Sequence, residues 1–313
     1  MTAVVERQVK RLKLFCVESP ALKARVKRLR NVGLRALSGV CGPGIDHRAT
    51  ILGYHSVGDG QSDLSIPREG FRRHVEWLVR HGYRMLTLRQ LWAFVEAHGK
   101  PPARSVVLTF DDGFRGVVRH AAPVLAEHGV AATVFLVTDY IGKTNAYDRP
   151  LAAPELPLMD WDEVERLKRL GWDIQSHGKR HLPLVQLEPS ALDEELAGSK
   201  RALEQRLGDA VEFFCYPHGA FDGPALAAVA RAGYLGALTC RPGTFAEEVN
   251  GSRYRLPRSL VDGCMSQGDF STRFRRGFFR VWALAAWLRA RTGHEFDCPF
   301  DELHKLPHRR LPT

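Results

Sequence analysis

The chain of 313 residues contains no unbroken apolar stretch near the roughly 20 residues that a membrane-spanning helix needs. Its longest such run toward the C-terminus, Val281–Leu288, falls far short, which argues against a multispanning membrane protein. The opening residues, MTAVVERQVKRLKLF, are broken by charge and lack the apolar centre of a secretory signal, so a cytoplasmic protein is expected. Cysteine is sparse and scattered: Cys16, Cys41, Cys215, Cys240, Cys264 and Cys298 form no C-x-x-C pair. A chain of this length does not need a disulfide framework to fold. No G-x-G-x-x-G or P-loop follows any predicted strand, so nucleotide-binding folds lose support. Short repeats are also absent, and 28 Gly with 18 Pro are ordinary amounts that exclude low-complexity chains.

Hydrophobic residues at 44% and charged residues at 26% are those of a folded globular protein. The net charge of +10 is unevenly distributed: residues 1–48 carry +8, residues 273–313 carry +5, and the stretch between them is −3. Three parts are therefore expected: a basic extension over 1–48, a central domain over 49–265, and a basic, aromatic extension over 266–313. Basic ends suit an anionic surface, and a solubilising tail explains them equally well. Nucleic acid is disfavoured, because no recognised reader motif accompanies the charge.

Ser19-Pro20 is a helix-start signal, and Leu22, Val26, Leu29, Leu37 and Val40 lie on one stripe interrupted by Gly33. Arg and Lys fill much of the other surface, predicting a basic amphipathic helix over Pro20–Gly39. Phe274, Phe278 and Trp282, with Arg275, Arg276 and Arg280 between them and Trp287-Leu288-Arg289 following, make a second amphipathic segment. Both suit the headgroup layer of an anionic leaflet. Packing of each stripe on the central domain is an equal alternative.

Between the ends, strand and helix patterns alternate. Apolar runs predict strands at Thr50–Tyr54, Val106–Phe110, Ala132–Val137, Trp172–Gln175, Glu212–Cys215, Tyr234–Thr239 and Tyr254–Pro257. Helical patterns cover Phe71–His81, Leu88–His98, Val117–His128, Asp162–Leu170, Ala191–Leu207 and Pro224–Ala232. Glycines 82, 99, 129, 171, 208 and 233 stand at their ends, as helix C-termini favour. Seven strands alternating with helices point to a parallel sheet, either a barrel or an open doubly wound sheet.

In such folds reactive groups gather at the C-terminal ends of strands. One strand runs into Asp111-Asp112-Gly113, where two adjacent carboxylates repel unless a cation or donor compensates them. A turn explains Asp before Gly just as well. Another strand ends in Ser176-His177-Gly178-Lys179-Arg180-His181, and one His-x-x-x-His spacing among 13 histidines arises readily by chance. The combination is stronger. One carboxylate and two imidazoles supply three ligands for a divalent metal and leave a position open for water, the pattern of a catalytic zinc site. The neighbouring carboxylate can take that water's proton. After a third strand, Tyr216-Pro217-His218-Gly219 forms a tight loop whose backbone N–H groups could face the same place.

These stretches, with Tyr54-His55-Ser56-Val57, Leu108-Thr109-Phe110-Asp111-Asp112-Gly113 and Ala132-Thr133-Val134-Phe135, resemble the polysaccharide deacetylase family, carbohydrate esterase family 4. They occur in the family's order over about residues 50–260. The resemblance implies a distorted (β/α)7 barrel and metal-dependent hydrolysis of N-acyl groups on sugars. It implies Asp111 as catalytic base, Asp112, His177 and His181 as metal ligands, and the His218 backbone N–H as donor to the oxyanion. Zinc is the expected metal, with cobalt and nickel as alternatives. The sequence departs from the family pattern where Cys215 replaces a common arginine. The family's C-terminal Leu-x-His is matched only by Leu306-Pro307-His308, in the basic tail, which we set aside. His55 is then the candidate general acid by position, with a structural histidine the equal alternative. Arg258 is the candidate that orients Asp111. The expected substrate is an amino sugar in a glycan or lipid-linked glycan precursor. Rivals are a deformylase or cyclic-amide hydrolase on the same fold, and a non-catalytic glycan-binding protein. A cytoplasmic enzyme on the inner face of an anionic membrane would give the basic ends a purpose.

Overall fold

The structure is a computed structural model that describes residues 32–33, 35–38, 44–58, 64–151, 154–245 and 253–291. Strands are β1 (Thr50–Tyr54), β2 (Ser56–Val57), β3 (Ser65–Ile66), β4 (Arg84–Leu86), β5 (Ser105–Phe110), β6 (Thr133–Leu136), β7 (Asp173–Ser176), β8 (Phe213–Cys215), β9 (Gly236–Leu238) and β10 (Ser259–Leu260). The main sheet is parallel throughout, in the order β10-β1-β5-β6-β7-β8-β9, and β4 pairs the first half of β5. Its two edges meet through one short segment. Leu256 bridges Leu238 of β9, and three residues later β10 pairs with β1. The result is a distorted (β/α)7 barrel.

Both faces of its strands are buried, so they read as continuous apolar runs rather than alternations. Ile51, Val107, Phe135, Phe213, Cys215 and Leu238 point to one cluster, while Leu52, Tyr54, Leu108, Phe110, Val134, Ile174 and Phe214 point to the other, larger one. Helix ends follow local chemistry. Thr87 with Gln90 and Asp160 with Glu163 form reciprocal capping boxes, and all six predicted stop glycines have φ between 66° and 81°.

Three predicted elements differ in more than their bounds. The last strand was expected at Tyr254–Pro257, but Arg253–Arg255 is a 3-10 turn and pairing resumes at Ser259. Pro257 has no N–H to donate to the ladder, which breaks it there. The helix expected from Ala191 starts at Pro189 and contains a π segment, Glu194–Gly198. A π segment, Val117–Ala121, also opens the helix predicted over Val117–His128.

Of the predicted N-terminal helix, Val32–Gly33 and Arg35–Ser38 are described and helical; the rest lies outside the described residues. Leu306-Pro307-His308 lies outside them too, as does the side chain of Trp287. Toward the C-terminus, the helices Gln267–Thr272 and Arg276–Arg291 follow β10. Phe270 and Phe274 belong to the larger core cluster, and the Phe274 ring lies 5.1 Å from Trp77 and 4.8 Å from Tyr83. Phe278 is buried as well, leaving Arg275, Arg276 and Arg280 exposed. No helix among the described residues is long and apolar enough to cross a membrane.

Candidate active site

Asp111 and Asp112 leave the C-terminal end of β5, where the Asp111 N–H still donates to Tyr54 O of β1 (2.9 Å). Asp112 then turns with φ of 68°, and Gly113 follows at 80°. A Cβ on Gly113 would lie 2.6 Å from Leu136 Cδ2, so the turn after the carboxylates needs glycine. This reversal sends the two side chains apart, toward different partners.

Asp111 faces Arg258, on the segment that closes the barrel. Arg258 Nη1 donates to Asp111 Oδ1 (2.6 Å) and Nη2 to Oδ2 (2.7 Å). Both side chains are at most 3% exposed, and Arg258 also donates to Thr109 Oγ1 and Cys215 Sγ. Burial alone would raise the Asp111 pKa, but the guanidinium outweighs it and holds the carboxyl down to about 2. Asp111 is therefore an anion at any working pH. Arg258 crosses β1 at Gly53, where a Cβ would stand 3.0 Å from Arg258 Nε and 2.7 Å from Leu260 Cδ2.

Asp112 faces the two histidines. Its Oδ1 is 3.6 Å from His177 Nε2 and 3.3 Å from His181 Nε2, and all three side chains are buried. His177 Nδ1 lies 2.8 Å from the Cys215 carbonyl, which can only accept, so Nδ1 carries the proton and Nε2 presents a lone pair to Asp112. Burial keeps both rings neutral by lowering their pKa. Asp112 Oδ1 has no hydrogen-bond donor although it is buried. Burial first, then the charges of Asp148 and Asp111, push its pKa well up.

The His177 lone pair and the His181 Nε2 thus converge on an orphaned carboxylate oxygen, an arrangement that costs free energy unless a cation occupies it. The separations match the edge of a tetrahedron with bonds of roughly 2.0–2.1 Å to nitrogen and oxygen, about 3.3 Å. Asp112, His177 and His181 fit a divalent metal. Asp111, His177 and Cys215 also lie close together, but the Arg258 guanidinium already neutralises that carboxylate.

The loop between the histidines is clasped from below. Glu195, in the π segment Glu194–Gly198, accepts the backbone N–H groups of Lys179 and Arg180 (2.9 Å each) and Arg180 Nε. His218 stacks edgewise on His181 with ring centres 4.4 Å apart, so its loop borders the same place. His55 follows β1 and is partly buried; burial lowers its pKa to about 4, against the pull of Asp111, so the ring is neutral at pH 7. All seven residues singled out from the sequence therefore gather at one end of the barrel. Of the four non-glycine residues with positive φ among those described, three are Asp112, His181 and His218. Such strain is typical of sites where geometry matters more than backbone comfort.

Sequence reasoning missed Glu195, Tyr147 and Asp148. Tyr147 packs on His181 with ring centres 4.4 Å apart, and burial raises the Asp148 pKa to about 6. Neither stands in a periodic or motif-like context that could have marked it.

Residues 98–237 match the family model described as polysaccharide deacetylase. YxkH of Bacillus subtilis, named a polysaccharide deacetylase, is 30% identical over 220 residues, covering 70% of this chain and 74% of its own. The chain belongs to the polysaccharide deacetylase family. As a polysaccharide deacetylase it is a hydrolase of carbon–nitrogen bonds other than peptide bonds. A poly-β-1,6-N-acetyl-D-glucosamine N-deacetylase of Staphylococcus epidermidis is 26% identical over 209 residues, covering 64% of this chain and 68% of its own. Two solved structures share the fold of this polysaccharide deacetylase. The Streptococcus pyogenes deacetylase PplD in complex with acetate has a TM-score of 0.63 at 22% identity, over 74% of this chain and 99% of that one. IcaB from Ammonifex degensii has a TM-score of 0.62 at 21% identity, over 76% and 97%.

Proposed function

We propose that the protein removes N-acyl groups, N-acetyl first among them, from an amino sugar in a glycan or lipid-linked glycan precursor. The observation that carries this reading is the pairing of two neighbouring carboxylates with opposite environments. One is orphaned between two imidazole nitrogens, and the other is held ionised by a buried arginine. Asp112, His177 and His181 hold a divalent ion, zinc first, with cobalt and nickel as alternatives. When bound, that ion supplies Lewis-acid polarisation of the acyl oxygen and lowers the pKa of water.

The chain's own groups do the rest. Asp111, kept anionic by Arg258, accepts the proton of the attacking water. The backbone N–H of His218 donates to the acyl oxygen as it becomes negative. His55 takes up the proton that Asp111 gained from the water and delivers it to the departing sugar nitrogen, returning Asp111 to its anionic form. Water is consumed and the amine and carboxylic acid are released. The similarity to a poly-β-1,6-N-acetyl-D-glucosamine deacetylase supports a polymer of N-acetylglucosamine as one substrate. The +8 of residues 1–48 supports a substrate carried on an anionic membrane, reached from the cytoplasmic face.

The test combines product and metal. Wild-type protein should release acetate rather than formate from a panel of polymeric, lipid-linked and nucleotide-linked N-acetylamino sugars, and should hold about one divalent ion. Asp111→Asn should keep the metal and lose at least about 100-fold in turnover, the scale of general-base catalysis. Asp112→Asn should lose the metal. Reversed behaviour of the two variants would exchange their roles, and formate release would point to a deformylase.

A further inference from the structure

Tyr147 sits on the 3-10 segment Ala146–Leu151, and its hydroxyl oxygen is buried without a well-formed hydrogen bond. The ring is wedged between His181 (4.4 Å between centres, tilted 39°) and Tyr140 (4.8 Å, edge-on), so the hydroxyl has little freedom to find solvent. Burial first, then the charges of Asp112 and Asp148, raise the pKa of this hydroxyl well above that of a free phenol, and Asp112 is the carboxylate close enough to accept from it. Asp148 is already engaged, since Asn145 Nδ2 donates to its Oδ2 (3.0 Å). Asn145 is buried and ties the segment at two more points. Its Nδ2 donates to Pro154 O (3.2 Å), and its Oδ1 accepts from Leu156 N (2.6 Å). A three-point clasp therefore delivers one unsatisfied donor to the edge of the metal site.

We propose that Tyr147 is a positioning residue of the metal centre, its hydroxyl donating to Asp112 so that the carboxylate keeps the orientation needed to ligate. The inference rests on Asp112, His177 and His181 forming the metal site. A phenol serves this purpose where a second carboxylate could not, because it adds a donor without adding negative charge beside Asp111, Asp112 and Asp148. Outer partners of this kind typically contribute 10–100-fold to metal affinity.

The test titrates chelator-treated full-length protein with Co2+ and follows both affinity and visible absorption. Tyr147→Phe keeps the ring on His181 and removes only the hydroxyl. It should weaken Co2+ binding 10–100-fold and shift the ligand-field bands, while the thermal midpoint of the metal-free protein stays unchanged. Turnover should fall with KM little altered. Tyr147→Leu, which removes the ring as well, separates packing from hydrogen bonding. If Tyr147→Phe binds Co2+ like wild type with the same spectrum, the proposal fails. It fails equally if only Tyr147→Leu weakens binding, since the ring would then be the contributor. Absence of Co2+ binding by the wild type would overturn the metal site itself and this role with it.

Discussion

Removing Arg258 leaves Asp111 charged, buried and without its bidentate partner, whereas removing both partners leaves no charge to solvate. The pair is at most 3% exposed and spans 2.6 and 2.7 Å, so solvent screening does not dilute it. Breaking a buried pair from one side typically costs about 3–5 kcal/mol, and replacing both sides with neutral groups is often near neutral. Arg258→Met should therefore lose about 3–5 kcal/mol, and Asp111→Asn a comparable amount, because it strands the guanidinium. The double variant should lose only about 1–3 kcal/mol, the remainder coming from contacts of Arg258 with Thr109 Oγ1 and Cys215 Sγ. The interaction energy in this cycle is then about 3 kcal/mol or more in magnitude. Urea unfolding of chelator-treated protein at pH 7, followed by circular dichroism and tryptophan fluorescence, measures all four species without metal linkage. If the double variant loses the sum of the single losses, the two residues act independently and the pairing argument is wrong. A loss below about 1 kcal/mol in Arg258→Met would equally remove Arg258 as the counter-charge.

Three further outcomes follow from other residues. Burial lowers the His74 pKa to about 3, below the unfolded value near 6.5; its contribution to stability is thus complete above pH 6.5 and lost as pH falls toward 3. The wild type should lose about 2 kcal/mol between pH 7.5 and 5 that His74→Leu does not, and equal slopes in urea titrations would refute this. Gly53→Ala places a methyl group 2.7 Å from Leu260 Cδ2 and 3.0 Å from Arg258 Nε. It should cost about 1–3 kcal/mol by overpacking and lower turnover by displacing Arg258, and an unchanged kcat would show that the arginine's placement is not critical. The full-length protein should bind phosphatidylserine vesicles but not phosphatidylcholine vesicles, more weakly at high salt. Reversing the exposed Arg275, Arg276 and Arg280 to Glu should reduce that binding without affecting hydrolysis of a small soluble substrate; indifference of the wild type to anionic vesicles would end the membrane reading.

Much of the architecture was legible because it is written in local chemistry. Strand Thr50–Tyr54 and helix Leu88–His98 lie where their apolar patterns placed them, and the stop glycines adopt the left-handed conformation that made them recognisable. The three-residue strand Arg84–Leu86 was not legible, since it is too short for a period and is not buried. The closing strand was misplaced because Pro257 interrupts a ladder whose existence depends on two distant partners, β9 and β1. At the site, the carboxylates and histidines could be found at strand ends, but the opposite directions of Asp111 and Asp112 depend on a positive φ at a non-glycine residue, which no pattern announces. Glu195 and Tyr147 act from a π segment and a 3-10 segment, where side-chain direction is set by packing rather than by periodicity. The aromatic C-terminal stretch allowed two explanations on charge and spacing alone. The burial of Phe274 and Phe278 on the barrel assigns their apolar surface to packing.

The guanidinium that neutralises Asp111 stands 147 positions further along the chain, on the segment that joins the two edges of the sheet. Until that segment docks, the carboxylate has no reason to leave water, so its dehydration and the completion of the ring are one event. Along the backbone the seam is short, a bridge at Leu256 and a two-residue strand at Ser259–Leu260, so the Arg258–Asp111 pair carries much of its hold. Transient parting there would let water reach Asp111 while the six strands from β1 through β5 to β9 remained paired. Such a local opening would silence the enzyme far below the temperature at which the barrel melts. The lifetime of activity on heating would then report the strength of this seam, and backbone amides of Leu256, Arg258 and Val261 would exchange with solvent ahead of those in β5 and β6.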